Sequence, residues 1–262
     1  MGADEYNTSR VPSVYESADS YFASMKKHAA ISLARECRKK GVSYDAVTSY
    51  GLHLVISDQG VISFNPSYSD NIDSRWTDQY KEKMLAALND FYKESNFHEW
   101  YLSLEPYRQE ALEDFNKKVS IDYDWFDGFF GTIDNHSTQI ILSFLAGDNN
   151  HGLSINLKNG KKILSTVFGC LSQNDSGSIS FNNDGGILVH EFSHPYCNPL
   201  IEKYWESISE RSSSIFSTVQ EQMREQAYGT AITMMCETFV RASTVRYYMD
   251  HSTAVRRYFT IK

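Results

Sequence analysis

One ten-residue segment restricts the fold of this chain more than any other. Residues 185–194 have the sequence GGILVHEFSH, in which His190, Glu191 and His194 stand among apolar neighbours at helical spacing. Side chains four residues apart lie about one turn apart on the same face of a helix. Burying two histidines and a glutamate in an apolar helix without a partner costs several kcal/mol. The fold must therefore supply a partner for these three side chains.

The spacing H-E-x-x-H is typical of a zinc site. Imidazoles one turn apart can both reach one Zn²⁺ ion at Zn–N distances of about 2.0–2.1 Å. Glu191 follows the first histidine directly, so it is poorly placed as a ligand, but its carboxylate can accept a proton from a zinc-bound water. We therefore predict zinc as the cofactor, His190 and His194 as ligands and Glu191 as general base. The alternative is a chance motif with hydrogen-bonded histidines.

A catalytic zinc site needs a third protein ligand. The metzincin pattern is excluded because Cys197 and Leu200 stand where it requires glycine and histidine. Glu237 is favoured because it is the only acid in the apolar segment 231–240, where a carboxylate needs a cation. An ion pair with Arg241 is a compatible alternative. The other downstream candidates are Glu202, Glu206, Glu210, Glu221, Glu225, Asp250 and His251.

A donor for the oxyanion and a strand for the substrate would complete a peptidase site. Tyr228, nine residues before Glu237, is the candidate donor, with Tyr196 and Arg241 as rivals and an ordinary packing tyrosine as the alternative. For the substrate we favour an edge strand at 150–155, although its first residues could equally belong to a turn.

The wider pattern predicts an α+β protein, mostly helical with a small sheet. Residues 1–120 form a helical N-terminal region and residues 121–262 a zincin-like catalytic region with the H-E-x-x-H helix, or both form one continuous domain. Helices are predicted at 14–40, from 43–45 to about 55, at 76–94, 187–195, 200–211 and 214–250, with an irregular stretch at 58–73, an aromatic and glycine hinge at 123–131, a three-stranded meander at 138–146, 152–157 and 163–171, and a loop at 172–186.

Composition excludes two classes of partner. The 262 residues carry a formal net charge of −8 and contain no long basic run, so nucleic acid is not an expected partner. No apolar window approaches the 18 residues or so of a membrane span.

The N-terminus has no apolar signal core, and the compartment stays open, because a secreted or cell-surface protein can lose its signal.

The chain resembles a bacterial family that is known as a domain of unknown function and is regarded as gluzincin-like zinc metallopeptidases. The resemblance covers most of the chain and is carried by residues 44–47, 125–131, 150–152, 190–194, 198–200, 237 and 240–242. It implies that His190, His194 and Glu237 bind zinc and that Glu191 is the base. Many relatives are exported. The segment 195–197 departs from the family, which more often lacks its proline, but touches no predicted ligand.

These observations predict a zinc metallopeptidase that hydrolyses peptide bonds of a peptide or protein substrate. A zinc-bound water would attack the scissile carbonyl while Glu191 takes its proton and Tyr228 or another donor stabilises the oxyanion. The alternative is a non-catalytic zincin-like module that binds metal or a partner, with the aromatic residues of 91–107 and 123–130 as its surface. A carboxylate beside two ligands favours the enzyme, since a scaffold needs no base.

Overall fold

A computed structural model describes residues 11–132, 136–147, 149–182, 186–226 and 228–251. The fold is α+β, as predicted, and is mainly helical. It divides into two compact units: Met1–Ser120 with Asn135–Asn183, and Ile121–Asp134 with Asp184–Lys262. The three-stranded sheet therefore groups with the first 120 residues, and the helix with the H-E-x-x-H motif lies in the other unit.

Short helices dominate the first unit. They are α1 (Pro12–Tyr21), a 3₁₀ helix (Ala23–Lys27), α2 (Ala29–Lys39), α3 (Asp45–Leu52), α4 (Asp78–Glu94), α5 (Phe97–Ser103) and α6 (Glu105–Lys118). The continuous helix predicted for 14–40 is wrong, because His28 has extended backbone angles and its Nδ1 accepts the amide N–H of Ala30 at 3.1 Å. This side chain caps a new helix instead of continuing the old one.

The second predicted helix ends earlier than expected. It stops at Leu52 because β1 (Leu54–Ile56) pairs antiparallel with β2 (Ile62–Phe64). The turn at 58–60 therefore closes a hairpin within a stretch predicted to be irregular. Local helical spacing did not reveal that the β1 backbone finds its hydrogen bonds in β2.

A buried cluster lies beneath the first helices. Tyr50 and Trp76 stack with ring centroids 4.4 Å apart, and the Trp76 indole N–H donates to the carbonyl of Ala46 at 2.8 Å. The cluster contains Cys37, Val42, Ala46, Tyr50, Trp76 and Met84. These residues come from α2, α3 and α4 and the segments between, so burial of apolar surface joins the helices.

The sheet contains β3 (His136–Leu142), β4 (Asn150–Asn156) and β5 (Lys162–Phe168) in the order β3-β5-β4. β5 pairs antiparallel with β4 through the turn predicted at 158–161, but parallel with β3. The predicted meander is therefore wrong. After β3 the chain crosses the end of β5, where the Ser143 amide donates to the Phe168 carbonyl at 2.7 Å. Gly169 permits this crossing, because a Cβ there would lie 2.2 Å from the Gly147 carbonyl oxygen.

A second short hairpin replaces part of the predicted loop at 172–186. β6 (Leu171–Gln173) and β7 (Ile179–Phe181) pair antiparallel. The Phe181 ring packs edge-on against Phe115 of α6, with ring centroids 4.9 Å apart. The hairpin is therefore held by burial of an aromatic side chain against a helix distant in sequence, a contact that the polar sequence between the strands does not reveal.

Three helices form the described part of the second unit: α7 (Tyr123–Phe130), α8 (Gly186–Glu225) and α9 (Ala231–His251). The segment predicted to be an aromatic hinge is helix α7, and the Asp122 carboxylate caps it by accepting the Trp125 amide at 3.1 Å. The fully buried Phe126 of α7 packs against Phe192 of α8 and Tyr247 of α9. Aromatic packing thus joins all three helices.

Helix α8 continues through Pro195 and Pro199, where the sequence predicted a break. Each proline lacks the amide that would bond to the carbonyl four residues earlier, which costs helix stability. Phe192, Tyr196 and Cys197 are nevertheless buried, and their packing outweighs that loss. Among the residues that the structure describes, no helix is long and apolar enough to cross a membrane.

We expect Phe126→Ala to lower the free energy of unfolding by about 3–5 kcal/mol, because it opens a cavity at a fully buried ring. Phe129→Ala, on the same helix but 42% exposed, is the matched control and should cost much less. Urea unfolding of the full chain measures both. Equal losses would mean that the aromatic packing around Phe126 does not join these helices.

A second expectation concerns His251, whose Nε2 lies 3.0 Å from Asp122 and whose Nδ1 lies 2.7 Å from the Tyr247 carbonyl. Its hydrogen bond to Asp122 raises the pKa of His251, and the same contact lowers the pKa of Asp122. The pair therefore stabilises fully between the ordinary pKa values, about 3.9 and 6.5. Its contribution is lost as the pH rises through the raised pKa of His251 or falls through the lowered pKa of Asp122.

We accordingly expect His251→Gln to destabilise the protein most near pH 5–6 and much less near pH 9. Chemical unfolding of parent and variant across this range measures the difference. Asp122→Asn should show the same profile. A difference between parent and variant that does not change with pH would contradict an ionised pair.

Candidate metal centre

The motif residues occupy the first turns of α8. Its apolar side chains Leu188, Val189 and Phe192 are buried. Glu191 is only 7% exposed, so the carboxylate is held in a largely dry position. The ligand atoms of His190, Glu191 and His194 lie within 4.8 Å of one another, and this group could hold a metal ion.

Glu237 brings a carboxylate from α9, which packs along α8, to both imidazoles. Its Oε2 lies 3.5 Å from Nε2 of His190, and its Oε1 lies 3.6 Å from Nε2 of His194. Ligand atoms about 2.0–2.2 Å from a tetrahedral Zn²⁺ stand roughly 3.3–3.5 Å apart. These separations are long for hydrogen bonds and close to those of ligands sharing one zinc ion.

The second carboxylate has a different position. Oε2 of Glu191 lies 3.9 Å from Nε2 of His194, farther than the Glu237 oxygens are from their imidazoles. Glu191 shares α8 with the histidines, whereas Glu237 faces them from another helix. The two acids thus occupy different positions, one beside the imidazole pair and one across from it.

His194 has a partner for its other ring nitrogen. Nδ1 lies 3.3 Å from Oδ1 of Asn198, one turn further along α8. If Nδ1–H donates to this oxygen, the neutral ring has its lone pair on Nε2, the atom that faces Glu237. Metal-binding histidines commonly have such a partner. Asn198 is not among the site residues predicted from the sequence, although its spacing of four residues from His194 was a usable signal.

Two hydrogen bonds in series link Arg241 to Tyr228 and Tyr228 to Glu237. The Tyr228 hydroxyl donates to Oε2 of Glu237 at 3.2 Å, and Nη2 of Arg241 donates to that hydroxyl at 3.1 Å. The ion pair considered from the sequence is therefore indirect, with a tyrosine between arginine and carboxylate.

The electrostatics of Glu237 depend on these neighbours. Burial opposes its ionisation, but His190, His194 and the Tyr228 hydroxyl outweigh burial and lower the pKa of Glu237. Burial, followed by the charge of Glu237, raises the pKa of Tyr228. The carboxylate is therefore anionic and the tyrosine hydroxyl protonated near neutral pH.

Two of the alternative ligand candidates have other partners. Asp250 accepts the indole N–H of Trp125 at 2.9 Å and also bonds to Arg246, and His251 faces Asp122. A rival oxyanion donor, Tyr196, directs its hydroxyl to Asp127 at 3.4 Å. The structure thus brings His190, Glu191, His194, Glu237 and Tyr228 together.

The nominated substrate strand is β4. It pairs with β5 and, within the described residues, lies at an edge of the three-stranded sheet. His151 and Gly152 are strand residues opposite Val167 and Thr166, so the alternative that they belong to a turn is wrong. Pairing of β4 with a substrate stays a prediction.

The fold and this cluster define an α+β protein with a candidate metal centre between two helices. The model of a protein family described as "Domain of unknown function (DUF4932)" matches residues 14–259. The chain belongs to this family. No curated protein and no solved structure matches the chain.

We expect Glu237→Ala to lower the affinity for zinc more than about 100-fold, because loss of a ligand should exceed the 10–100-fold effect of outer-shell partners. Competition with a chelating dye measures the affinity. Glu221→Ala is the matched control, since Glu221 is an exposed acid of α8, and it should bind zinc like the parent. Elemental analysis showing near-zero zinc in both parent and Glu237→Ala would mean that the histidines bind no metal.

Proposed function

We propose that this protein is a gluzincin-like zinc metallopeptidase with a zincin-like fold. One observation carries the proposal. The Glu237 carboxylate from α9, whose side chain is 15% exposed, faces both Nε2 atoms of an H-E-x-x-H pair at 3.5 and 3.6 Å, while the buried Glu191 carboxylate stands beside them. Two nitrogens and one carboxylate are a known ligand set of catalytic zinc, with a further position left for water or substrate.

The donor set favours zinc over harder cations. Mg²⁺ and Ca²⁺ take oxygen ligands almost exclusively, and two imidazoles would serve them poorly. His190, His194 and Glu237 would hold the zinc ion. When bound, zinc would polarise the scissile carbonyl and acidify the attacking water.

Glu191 supplies the base. Its side chain is only 9% exposed, and Oε2 lies 3.9 Å from Nε2 of His194, so it can reach a water beside the ligands. Oε2 would accept the proton of the attacking water and then deliver it to the nitrogen of the leaving amine. The charge of the carboxylate is conserved over the cycle, because the proton that it takes up is passed on.

The donor for the oxyanion is the least constrained part of the site. Tyr228 stays the predicted donor, with Tyr196 and Arg241 as rivals. In the structure the hydroxyl of Tyr228 donates to Glu237 and that of Tyr196 to Asp127. Either hydroxyl would have to exchange its partner to serve an oxyanion.

A non-catalytic interaction module is the second candidate function. In the first unit, a cavity of about 120 Å³ is lined chiefly by apolar side chains, among them the aromatic Phe22, Phe91, Phe97 and Trp100. Such a cavity suits an apolar ligand or side chain. The placement of the buried Glu191 beside the histidines favours the peptidase, because metal binding by His190, His194 and Glu237 alone would not need a second carboxylate.

We expect Glu191→Gln to bind about one zinc ion per chain, like the parent, and to lose peptide hydrolysis. The amide keeps the size of the side chain but cannot take up a proton. Cleavage of a quenched peptide pool, measured with and without a chelator, reports activity, and elemental analysis reports zinc. Glu225→Gln, a change in the polar last turn of α8, is the control and should stay active.

The possible outcomes separate the two candidates. Equal cleavage by parent and Glu191→Gln would show that Glu191 is not the base. A parent that binds zinc but cleaves nothing, with or without chelator, would favour the non-catalytic module.

A further inference from the structure

The carboxylate of Glu237 is held by a hydrogen-bond chain that runs away from the histidines. Tyr228 precedes α9, whereas Glu237 and Arg241 lie one turn apart on it. The Tyr228 hydroxyl touches both, at 3.2 Å from Oε2 of Glu237 and 3.1 Å from Nη2 of Arg241. The guanidinium carbon also lies 5.6 Å from the centre of the Tyr228 ring. Arginine, tyrosine and carboxylate therefore form one contact group.

We propose that Tyr228 and Arg241 are a positioning pair that aims the Glu237 carboxylate at His190 and His194, an inference that rests on the proposed zinc site. Neither residue is a ligand or a catalytic residue in this role. Tyr228 acts directly on the carboxylate, and Arg241 acts through Tyr228.

A glutamate ligand needs such a device. Its terminal torsion is broad rather than confined to narrow wells, and a free side chain loses rotamer entropy when it is ordered. A donor on Oε2 selects one orientation of the carboxylate, the one in which Oε1 and Oε2 each face an imidazole. The entropy cost of ordering the Glu237 side chain then falls on folding instead of on metal binding, and the affinity for zinc rises.

The indirect contact of Arg241 is central to this inference. An arginine bonded directly to a carboxylate tends to take both oxygens in a forked pair. Such a pair would compete with the two imidazoles for Oε1 and Oε2. With the hydroxyl interposed, Arg241 polarises the Tyr228 O–H bond and strengthens the donation to Oε2, while Oε1 stays directed to His194.

The same geometry separates positioning from oxyanion stabilisation. A tyrosine hydroxyl has one proton to donate, and here that proton is directed to Glu237. A positioning role predicts that loss of the hydroxyl weakens zinc binding. An oxyanion role predicts unchanged zinc binding and a loss of about 10²–10³ in kcat.

The experiment measures the zinc affinity of the full chain by chelator competition. We expect Tyr228→Phe to weaken zinc binding about 10–100-fold, the range for outer-shell partners. Tyr204→Phe removes a hydroxyl from a 54% exposed tyrosine of α8 and should change nothing. The visible absorption of the Co²⁺-loaded protein should shift in Tyr228→Phe, because the orientation of a ligand has changed, and stay constant in the control.

A double-mutant cycle tests whether Arg241 acts through Tyr228. Arg241→Met should weaken zinc binding, but should add nothing once the hydroxyl is absent, so Tyr228→Phe and the double variant should bind zinc equally. Arg211→Met, on α8, controls for loss of a positive charge. Additive effects of the two substitutions would overturn the proposed relay.

The outcomes distinguish this inference from the proposed function. If Tyr228→Phe binds zinc as tightly as the parent but loses turnover, the positioning pair is wrong and the peptidase stands. If zinc binding weakens as expected in a parent that cleaves no peptide, the pair stands at a metal site and the peptidase is wrong. A parent that binds no zinc overturns both.

Discussion

The meeting of Glu237 with two imidazoles is the interaction on which the second unit depends. A carboxylate and two histidines that are all largely buried are costly unless each compensates the other. Because α9 packs against α8, the Glu237 oxygens lie 3.5 and 3.6 Å from the Nε2 atoms of His190 and His194. These distances are close to those between ligand atoms that share one zinc ion. Polar groups that would weaken an apolar core thus become the candidate metal centre.

The aromatic packing of α7, α8 and α9 gives this arrangement its rigidity. Phe126 is fully buried against Phe192, and Phe192 lies between Glu191 and His194 in sequence. The polar face of that turn and the apolar face that anchors it are therefore parts of the same helical segment. Close-packed side chains shift little, and the ligands of a metal ion must be held in position to within a fraction of an ångström. The aromatic packing around Phe192 therefore also fixes the positions of the site residues on either side of it.

Sequence reasoning succeeded where the signal was local and failed where a distant segment decided. Helix α4 follows from its periodicity, and the β4–β5 turn from its turn residues at 158–161. The meander failed because the parallel pairing of β3 with β5 depends on a crossing near Gly169, which periodicity does not encode. The predicted break at Pro195 failed because burial of the surrounding side chains outweighs the missing amide.

The sequence by itself determined the chemistry available: an H-E-x-x-H pair on an apolar helix and one isolated acid, Glu237, in another. Spacing along one helix suffices for that, since its geometry is local. Only the tertiary structure decided that Glu237 meets the histidines and that Arg241 reaches it through Tyr228. Contacts between segments distant in sequence depend on how helices pack, and packing is set by the whole set of buried side chains rather than by any one pattern.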